Sequence, residues 1–468
     1  MSDVLDGDIA ALTGAYRSGQ TSPVEVLEAT LARVAQRNPA INALAHLDAD
    51  GAAEAAHASA RRWAAGTARS PLDGVPVTIK DSVNAAGMPW RHGCLAFSDV
   101  PDASIDAPPA ARLKEAGAVI LGKTTMPDFG MMAAGVSSLY GITRNPWDLT
   151  RNTGGSSSGA GAALAAGIGF GSVGTDIAGS VRLPAGHCGL VALKPTQGRL
   201  PHLAPSTMRS AGPMARTVGD AMLLYDVLSR PDARDLWALA PESGTTSPEP
   251  LSPNGLRIGV LTELNPGFAA EAAVAEVVGA AAAALAAGGA SVTAMGPVFD
   301  RDPYPALDRV FAVRAVAELQ SIPEDRRHLV HPAIRDWCAS AADHTAADFT
   351  RDSEAVAGSA ETMRTACADH DFVVAPVLPM VGFAAEVCGG DESHPLAHCG
   401  FTAWANQTAA PASAVCFGFA AGMPVGVQVI GPRLADRAVL RLTKWLETAR
   451  GFDIDWPHPV AAGVGGTR

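Results

Sequence analysis

The run from Asn152 to Thr196, NTGGSSSGAGAALAAGIGFGSVGTDIAGSVRLPAGHCGLVALKPT, constrains this chain more than any other stretch. It carries no charged residue from Asn152 to Thr175, yet it holds five serines, counting to Ser180, among glycines every few positions. Glycine permits turns and close backbone approaches that other residues resist. Gly154-Gly155 and Ala178-Gly179 therefore predict two tight loops, delivering Ser156 and Ser180. Between them, Ala160 to Ala166 favours helix and Gly167 to Gly174 a short apolar return. Such a loop, helix, return and loop would let two hydroxyls meet. The same pattern suits a glycine-rich crossover in a large α/β core whose serines only satisfy backbone groups, and the stretch alone leaves both readings open.

A length of 468 residues allows two or three domains or one large α/β domain. With 48% hydrophobic and 18% charged residues, the composition is that of a soluble globular protein. A net charge of -12 without a basic cluster argues against nucleic acid or an anionic membrane as partner and leaves small molecules or proteins. Two apolar stretches, residues 152–175 and 277–290, are respectively too glycine-rich and too short to span a bilayer. The acidic start MSDVLDGD lacks the order of a signal peptide, so the expected location is cytoplasmic. Seven cysteines without Cys-x-x-Cys spacing predict free thiols, with neither a disulfide framework nor a zinc site.

Residues 8–65 read as mainly helical, with Thr21-Ser22-Pro23-Val24-Glu25 as a capped helix start and Val26, Leu27 and Leu31 on one face. A turn and a β-branched run then end in Lys80. The chain has only five lysines, at 80, 114, 123, 194 and 444, among its 35 basic residues. Arginine cannot serve as a base, whereas a desolvated lysine can lose its proton. The plainer alternative is that Lys80 pairs with Asp81 or another carboxylate.

Two motifs mislead. Gly117 to Thr124 fits G-x-x-x-x-G-K-T, but its four inner residues, Ala-Val-Ile-Leu, form a strand where a phosphate loop needs an open turn. Gly155-Ser156-Ser157-Ser158-Gly159 fits the nucleophile elbow G-x-S-x-G, with Ser157 central, but no buried strand precedes it. His187, His202, His328 and His331 remain formally available to such a triad.

The ordered segments resemble the amidase signature family over nearly the whole chain. They are Leu72 to Asp81, Gly117 to Phe129, Asn145-Pro146-Trp147-Asp148, Gly154 to Gly159, Thr175 to Arg182 and Gly189 to Thr196, followed by Asn406, Pro411 and Met423 to Gly431. The resemblance implies a Ser-cisSer-Lys triad, with Ser180 as nucleophile, Ser156 as the bridging serine on a cis peptide bond, and Lys80 as base. It also implies an oxyanion hole of backbone N–H groups from Ile177, Ala178 and Gly179, while Gly130 and Met131 match positions lining the acyl pocket. A serine hydroxyl needs a neighbour to take its proton before it attacks, and no metal or cofactor is implied. Asp176 and Arg182 bracket the nucleophile loop and are expected to pair beneath it. Ala178, Thr153, His187 and Cys188 depart from the commonest residues of the family, which puts pocket shape in doubt more than reaction type.

Beyond Ala215, residues 232–255 read as a long loop, residues 256–295 as strand, helix and strand, and residues 300–400 as mostly helical around a strand at Phe372 to Pro376. The expected fold is a single α/β domain, a central mixed β-sheet covered by helices on both sides. Within it, residues 1–65 form a helical segment, 66–220 the core with the catalytic residues, 221–400 a variable substrate-covering region and 401–468 the rest of the core. The expected function is hydrolysis of the C–N bond of a small, most simply linear, amide through a serine acyl-enzyme. Alternatives are the glutamine-hydrolysing subunit of a tRNA-dependent amidotransferase, against which no substrate-carboxylate residues of that branch are evident in the C-terminal half, and an esterase using Ser157. Oligomeric state is open, a homodimer among the options.

Overall fold

The computed structural model describes residues 2–204, 206–390 and 395–458. Eleven strands form one mixed sheet: β1 (Leu44–Leu47), β2 (Pro76–Lys80), β3 (Val119–Thr124), β4 (Gly171–Asp176), β5 (Val191–Lys194), β6 (Ser210–Ala215), β7 (Arg257–Leu261), β8 (Ser291–Met295), β9 (Phe372–Pro376), β10 (Ala412–Ala420) and β11 (Met423–Ile430). Their spatial order is β1-β3-β2-β4-β6-β5-β10-β11-β9-β7-β8. The pairs β3-β2-β4 and β9-β7-β8 are parallel, and the middle of the sheet is antiparallel. All four expected segments contribute strands to this one sheet.

Successive side chains of a strand point to opposite faces, and here both faces are covered. Val191 and Leu193 of β5 join one core cluster, whereas Ala192 joins the other. The first cluster is closed by α4 (Val218–Leu228), α5 (Ala272–Ala287) and α8 (Asp436–Ala449) through Leu224, Val278 and Leu442. The second is closed by α2 (Ser158–Ala165), α3 (Arg182–Cys188) and α6 (Tyr304–Ser321) through Leu164, Leu183 and Phe311. Two further helices matter below, α1 (Pro23–Ile41) and α7 (Gly400–Gln407).

The helix start at Ser22 forms as expected. The Glu25 N–H donates to Ser22 Oγ and the Ser22 N–H donates to Glu25 Oε2, with Pro23 in the first turn of α1. Gly117 to Thr124 also behaves as expected, since Val119–Thr124 is the fully buried strand β3 and Lys123 Nζ donates to the Val83 carbonyl. Two regions differ. The helical N-terminal segment contains β1, a short half-buried edge strand antiparallel to β3, whose sequence LAHL has no alternation to announce it. Residues 300–400 are helical only up to Ala366, and between β9 and Ala397 the described chain forms no helix.

Candidate active site

β2 and β4 are parallel neighbours, so their C-terminal ends stand side by side, and Lys80 comes from one end and Thr175 from the other. Lys80 is fully buried; its Nζ donates to Ser156 Oγ at 2.8 Å and to Thr175 Oγ1 at 3.1 Å. It does not pair with Asp81. Adjacent residues leave a strand end in opposite directions, and the Asp81 carboxylate instead accepts from the Arg91 N–H, the Gly93 N–H and Tyr140 Oη. No ion pair to Lys80 exists among the described residues. Burial, reinforced by the charge of Arg209 and opposed by Asp176 and Asp81, lowers the Lys80 pKa to about 7. A lysine in that range is a usable base at neutral pH.

The two serine loops meet as the glycine pattern implies. The Gly155–Ser156 peptide bond is cis. Ser157 follows at the N-terminus of α2, and its N–H donates to the Ser180 carbonyl at 3.1 Å, tying the first loop to the second. Ser157 Oγ is fully buried and directed to the Thr175 carbonyl, which gives it a structural role and removes it from the elbow pattern. Ser156 and Ser180 are 3% and 6% exposed, so both hydroxyl-bearing residues sit at the edge of the interior and within reach of a small molecule.

Asp176 and Arg182 pair beneath the second loop. Arg182 Nε donates to Asp176 Oδ2 and Nη2 to Oδ1, each at 3.0 Å, with both side chains fully buried. The remaining guanidinium protons go to the Thr402 carbonyl, Gln428 Oε1 and Asn406 Oδ1. Asn406 Nδ2 returns a hydrogen bond to Asp176. Burial by itself would raise the Asp176 pKa, but Arg182 and Asn406 overcome it and hold it at about 2. The ion pair is therefore charged, satisfied and shared among β4, α3, α7 and β11.

That network corrects one expectation. The Gly179 N–H is committed to Asp176 Oδ1 at 2.7 Å, as is the Val181 N–H to Oδ2 at 3.2 Å, so Gly179 is not free to donate to an oxyanion. Among the described residues, the N–H groups of Ile177, Ala178 and Ser180 are not held by a carboxylate in this way. Gly179 serves the loop by shape instead: its φ is +128°, and a Cβ there would collide with Thr402 Oγ1.

Ser180 opens onto a narrow cleft lined by Gly130, Met131, Met132 and Ala133 on one side and Ile177 and Ala178 on another. Phe311, Leu396 and Cys399 complete the wall. Both expected pocket residues, Gly130 and Met131, are thus present. Gly130 has φ +69°, and a Cβ there would lie 3.2 Å from Ser156 Oγ, so its missing side chain makes room for the bridging serine. Sequence reasoning missed Phe311, Leu396 and Cys399, which reach the cleft from far along the chain and carry no motif. It also missed Thr175, the second partner of Lys80, although Thr175 stands at the end of an apolar strand, as Lys80 does. Among the described residues, no group of three or more His, Cys, Asp or Glu is arranged to hold a metal ion, and no helix is long and apolar enough to cross a membrane.

Comparison with known proteins agrees with this geometry. The sequence pattern of the Amidase family matches residues 25–440. The A-type subunit of the glutamyl-tRNA(Gln) amidotransferase of Symbiobacterium thermophilum is 33% identical over 481 residues, spanning 92% of this chain and 94% of that one. A bacterial aryl acylamidase of the amidase signature family superposes with a TM-score of 0.88 at 28% identity, covering 95% of this chain and 96% of its own. The 6-aminohexanoate cyclic dimer hydrolase in complex with substrate gives a TM-score of 0.86 at 30% identity over 96% of this chain and 98% of its own.

Proposed function

Since the chain belongs to the Amidase family and is an amidohydrolase acting on carbon–nitrogen bonds, we propose that it hydrolyses a small amide with Ser180 as nucleophile, Ser156 as proton bridge and Lys80 as base. The observation that carries this reading is the 2.8 Å contact between Lys80 Nζ and Ser156 Oγ in a site where burial holds the lysine near neutrality. In that state Nζ accepts the Ser156 proton as Ser156 accepts the proton of Ser180, and Ser180 Oγ attacks the amide carbon. The tetrahedral oxyanion then takes N–H donors from the loop at Ile177 and Ala178, where one lost donor is typically worth about 3 kcal/mol. Collapse breaks the C–N bond, and Ser156 passes a proton to the departing nitrogen while Lys80 reprotonates it. Water enters by the same relay and releases the carboxylate.

The acyl wall of Met131, Met132, Phe311 and Leu396 favours a compact, largely apolar acyl group next to the scissile carbon. A second reading is the glutamine-hydrolysing component of an amidotransferase, favoured by the near full-length likeness to such a component. Release of ammonia or amine from a panel of aliphatic, aromatic, ureido and cyclic amides, measured on the isolated chain, separates the two. Turnover without a partner that is lost in Ser180→Ala and retained in Ser157→Ala supports the stand-alone amidase. Activity confined to glutamine and dependent on added partner proteins supports the second reading, and activity lost in Ser157→Ala but kept in Ser180→Ala overturns the nucleophile.

A further inference from the structure

Two stretches that line the acyl cleft lie far apart in sequence: Gly130 to Ala133, and the stretch that brings in Leu396 and Cys399. One polar side chain joins them. His398 Nε2 lies 3.2 Å from the Ala133 carbonyl oxygen, and since a carbonyl only accepts, Nε2 carries the proton. The residue is 2% exposed, and burial keeps the ring neutral by lowering its pKa to about 4. Its other nitrogen, Nδ1, is buried with no hydrogen-bond partner among the described residues. An unpaired buried nitrogen is unfavourable, and an apolar residue would fill the space without one. The bond to Ala133 is therefore what a histidine supplies at this position and an apolar residue does not.

The surroundings hold the ring in one orientation. Phe383 meets it edge-on with ring centres 5.2 Å apart, and meets His187 of α3 in the same way at 5.5 Å. His187 Nδ1 in turn donates to the Asn152 carbonyl at 3.2 Å, just ahead of the first serine loop. His187 is one of the residues by which the chain departs from the commonest pattern of its family, and bracing His398 through Phe383 gives that departure a use. The segment carrying His398 is fixed independently of the Ala133 bond. The Leu396 N–H donates to Tyr304 Oη on α6 at 3.1 Å, and Thr402 Oγ1 of α7 donates to the Ala178 carbonyl at 2.6 Å. The facing stretch is otherwise anchored at its two ends, by the Met131 N–H on the Asp128 carbonyl and the Gly135 N–H on Asn152 Oδ1. Loss of the His398 bond therefore frees the middle of one cleft wall, while the facing segment and the loop at Ala178 keep their own ties.

We propose that His398 is a positioning residue that sets the width of the acyl cleft and so limits the size of the acyl group that Ser180 accepts. The inference rests on the amidase reading given above and deepens it by naming what fixes its acyl specificity. His398 has no part in the proton relay.

The test measures the rates at which Ser180 is sulfonylated by methanesulfonyl fluoride and by phenylmethanesulfonyl fluoride, in the wild type and in His398→Leu, His398→Gln and His398→Asn. The amide nitrogen of Gln reaches the place of the imidazole Nε2, whereas that of Asn reaches only the place of Nδ1, so Gln restores the donor and Asn does not. In His398→Leu and His398→Asn the rate with the bulky reagent relative to the small one is expected to rise about five- to tenfold, the usual worth of one neutral hydrogen bond, with the small reagent's own rate within about threefold of the wild type. His398→Gln is expected to restore the wild-type ratio. The same shift should appear as a lower KM for phenylacetamide relative to acetamide, with kcat little changed. A merely structural role predicts an equal loss with both reagents that tracks a lowered Tm, with no difference between Gln and Asn. That result, or a ratio unmoved in the Leu and Asn variants, would overturn the proposal; where His398→Leu does not fold, the Gln and Asn pair decides. Labelling that survives Ser180→Ala removes the amidase reading itself, whereas labelling confined to Ser180 with an unmoved ratio removes only the role of His398.

Discussion

The two walls of the cleft are built by different physics. One wall, from Ile177 to Ser180 with Gly130 beside it, is backbone held in place by buried polar contacts: the Asp176–Arg182 pair, the loop-to-loop bond from Ser157 to Ser180, and glycines where a side chain would collide. The other wall is Met131, Met132, Phe311, Leu396 and Cys399, apolar side chains held by ordinary packing within the second core cluster. A buried polar network tolerates little, because removing one partner strands the others. An apolar wall tolerates exchange at roughly constant volume. The reacting groups therefore sit on the intolerant wall, and the shape offered to the acyl group is set on the tolerant one.

Arg182→Ala attacks the first wall hardest. It leaves Asp176 buried and uncompensated, a change that costs about 3–5 kcal/mol. The expected outcome in a denaturation experiment is a loss of that size, together with loss of turnover even where the protein remains folded. Full stability and activity would break the contrast at its root. Gly130→Ala comes next, because the added methyl meets Ser156 Oγ and the residue sits at φ +69°. A fall in kcat of at least tenfold is expected, with the fold retained.

The pH dependence sharpens the same contrast. Lys80 must be neutral to act, and burial places its pKa near 7. The acid limb of kcat/KM should therefore rise to a plateau with a midpoint near 7; a limb centred near 10 would mean a solvated lysine. The stability linked to Asp176 has the opposite origin. Its folded pKa, about 2, lies below the ordinary carboxylate value of 3.8, so its contribution is complete above about pH 4 and is lost as pH falls through about 2. Acid titration of unfolding should show this in the wild type.

The smallest effect is expected on the second wall. Phe311→Leu removes part of an aromatic ring from the cleft edge and should cost about 1 kcal/mol or somewhat more in stability. Its main signature is a changed ranking of acyl groups in KM, read from the amide panel. A loss of kcat as large as that of Gly130→Ala would show that the second wall carries chemistry after all.

The same division explains what could be read in the sequence. Lys80, Ser156 and Ser180 were singled out by residue type, a lysine ending a buried strand and serines on glycine-rich loops, but their assignment as a triad came from the resemblance to the amidase signature family. The Asp176–Arg182 pair was legible for a similar reason: opposite charges in an otherwise uncharged run have few other uses. The strands β7, β8 and β9 and the helix α5 were evident from apolar runs between turn residues. Phe311, Leu396 and Cys399 were invisible, since any apolar residue on a buried helix face or loop looks like core, and their meeting depends on tertiary packing. β1 was missed because four half-buried residues have too little pattern to compete with the helices around them. The Gly179 N–H was misassigned because sequence shows that a loop offers donors but not that a neighbouring carboxylate already holds one of them.

Ser180 as nucleophile, made reactive by Lys80 through Ser156, can be checked by treating the wild type, Lys80→Ala and Ser157→Ala with an active-site sulfonyl fluoride and locating the adduct by peptide mass spectrometry. One adduct is expected, on Ser180, formed at a rate that rises through pH 7 in the wild type and in Ser157→Ala and falls by at least a hundredfold in Lys80→Ala. An adduct on Ser157, or labelling of Ser180 indifferent to the loss of Lys80, would contradict those roles.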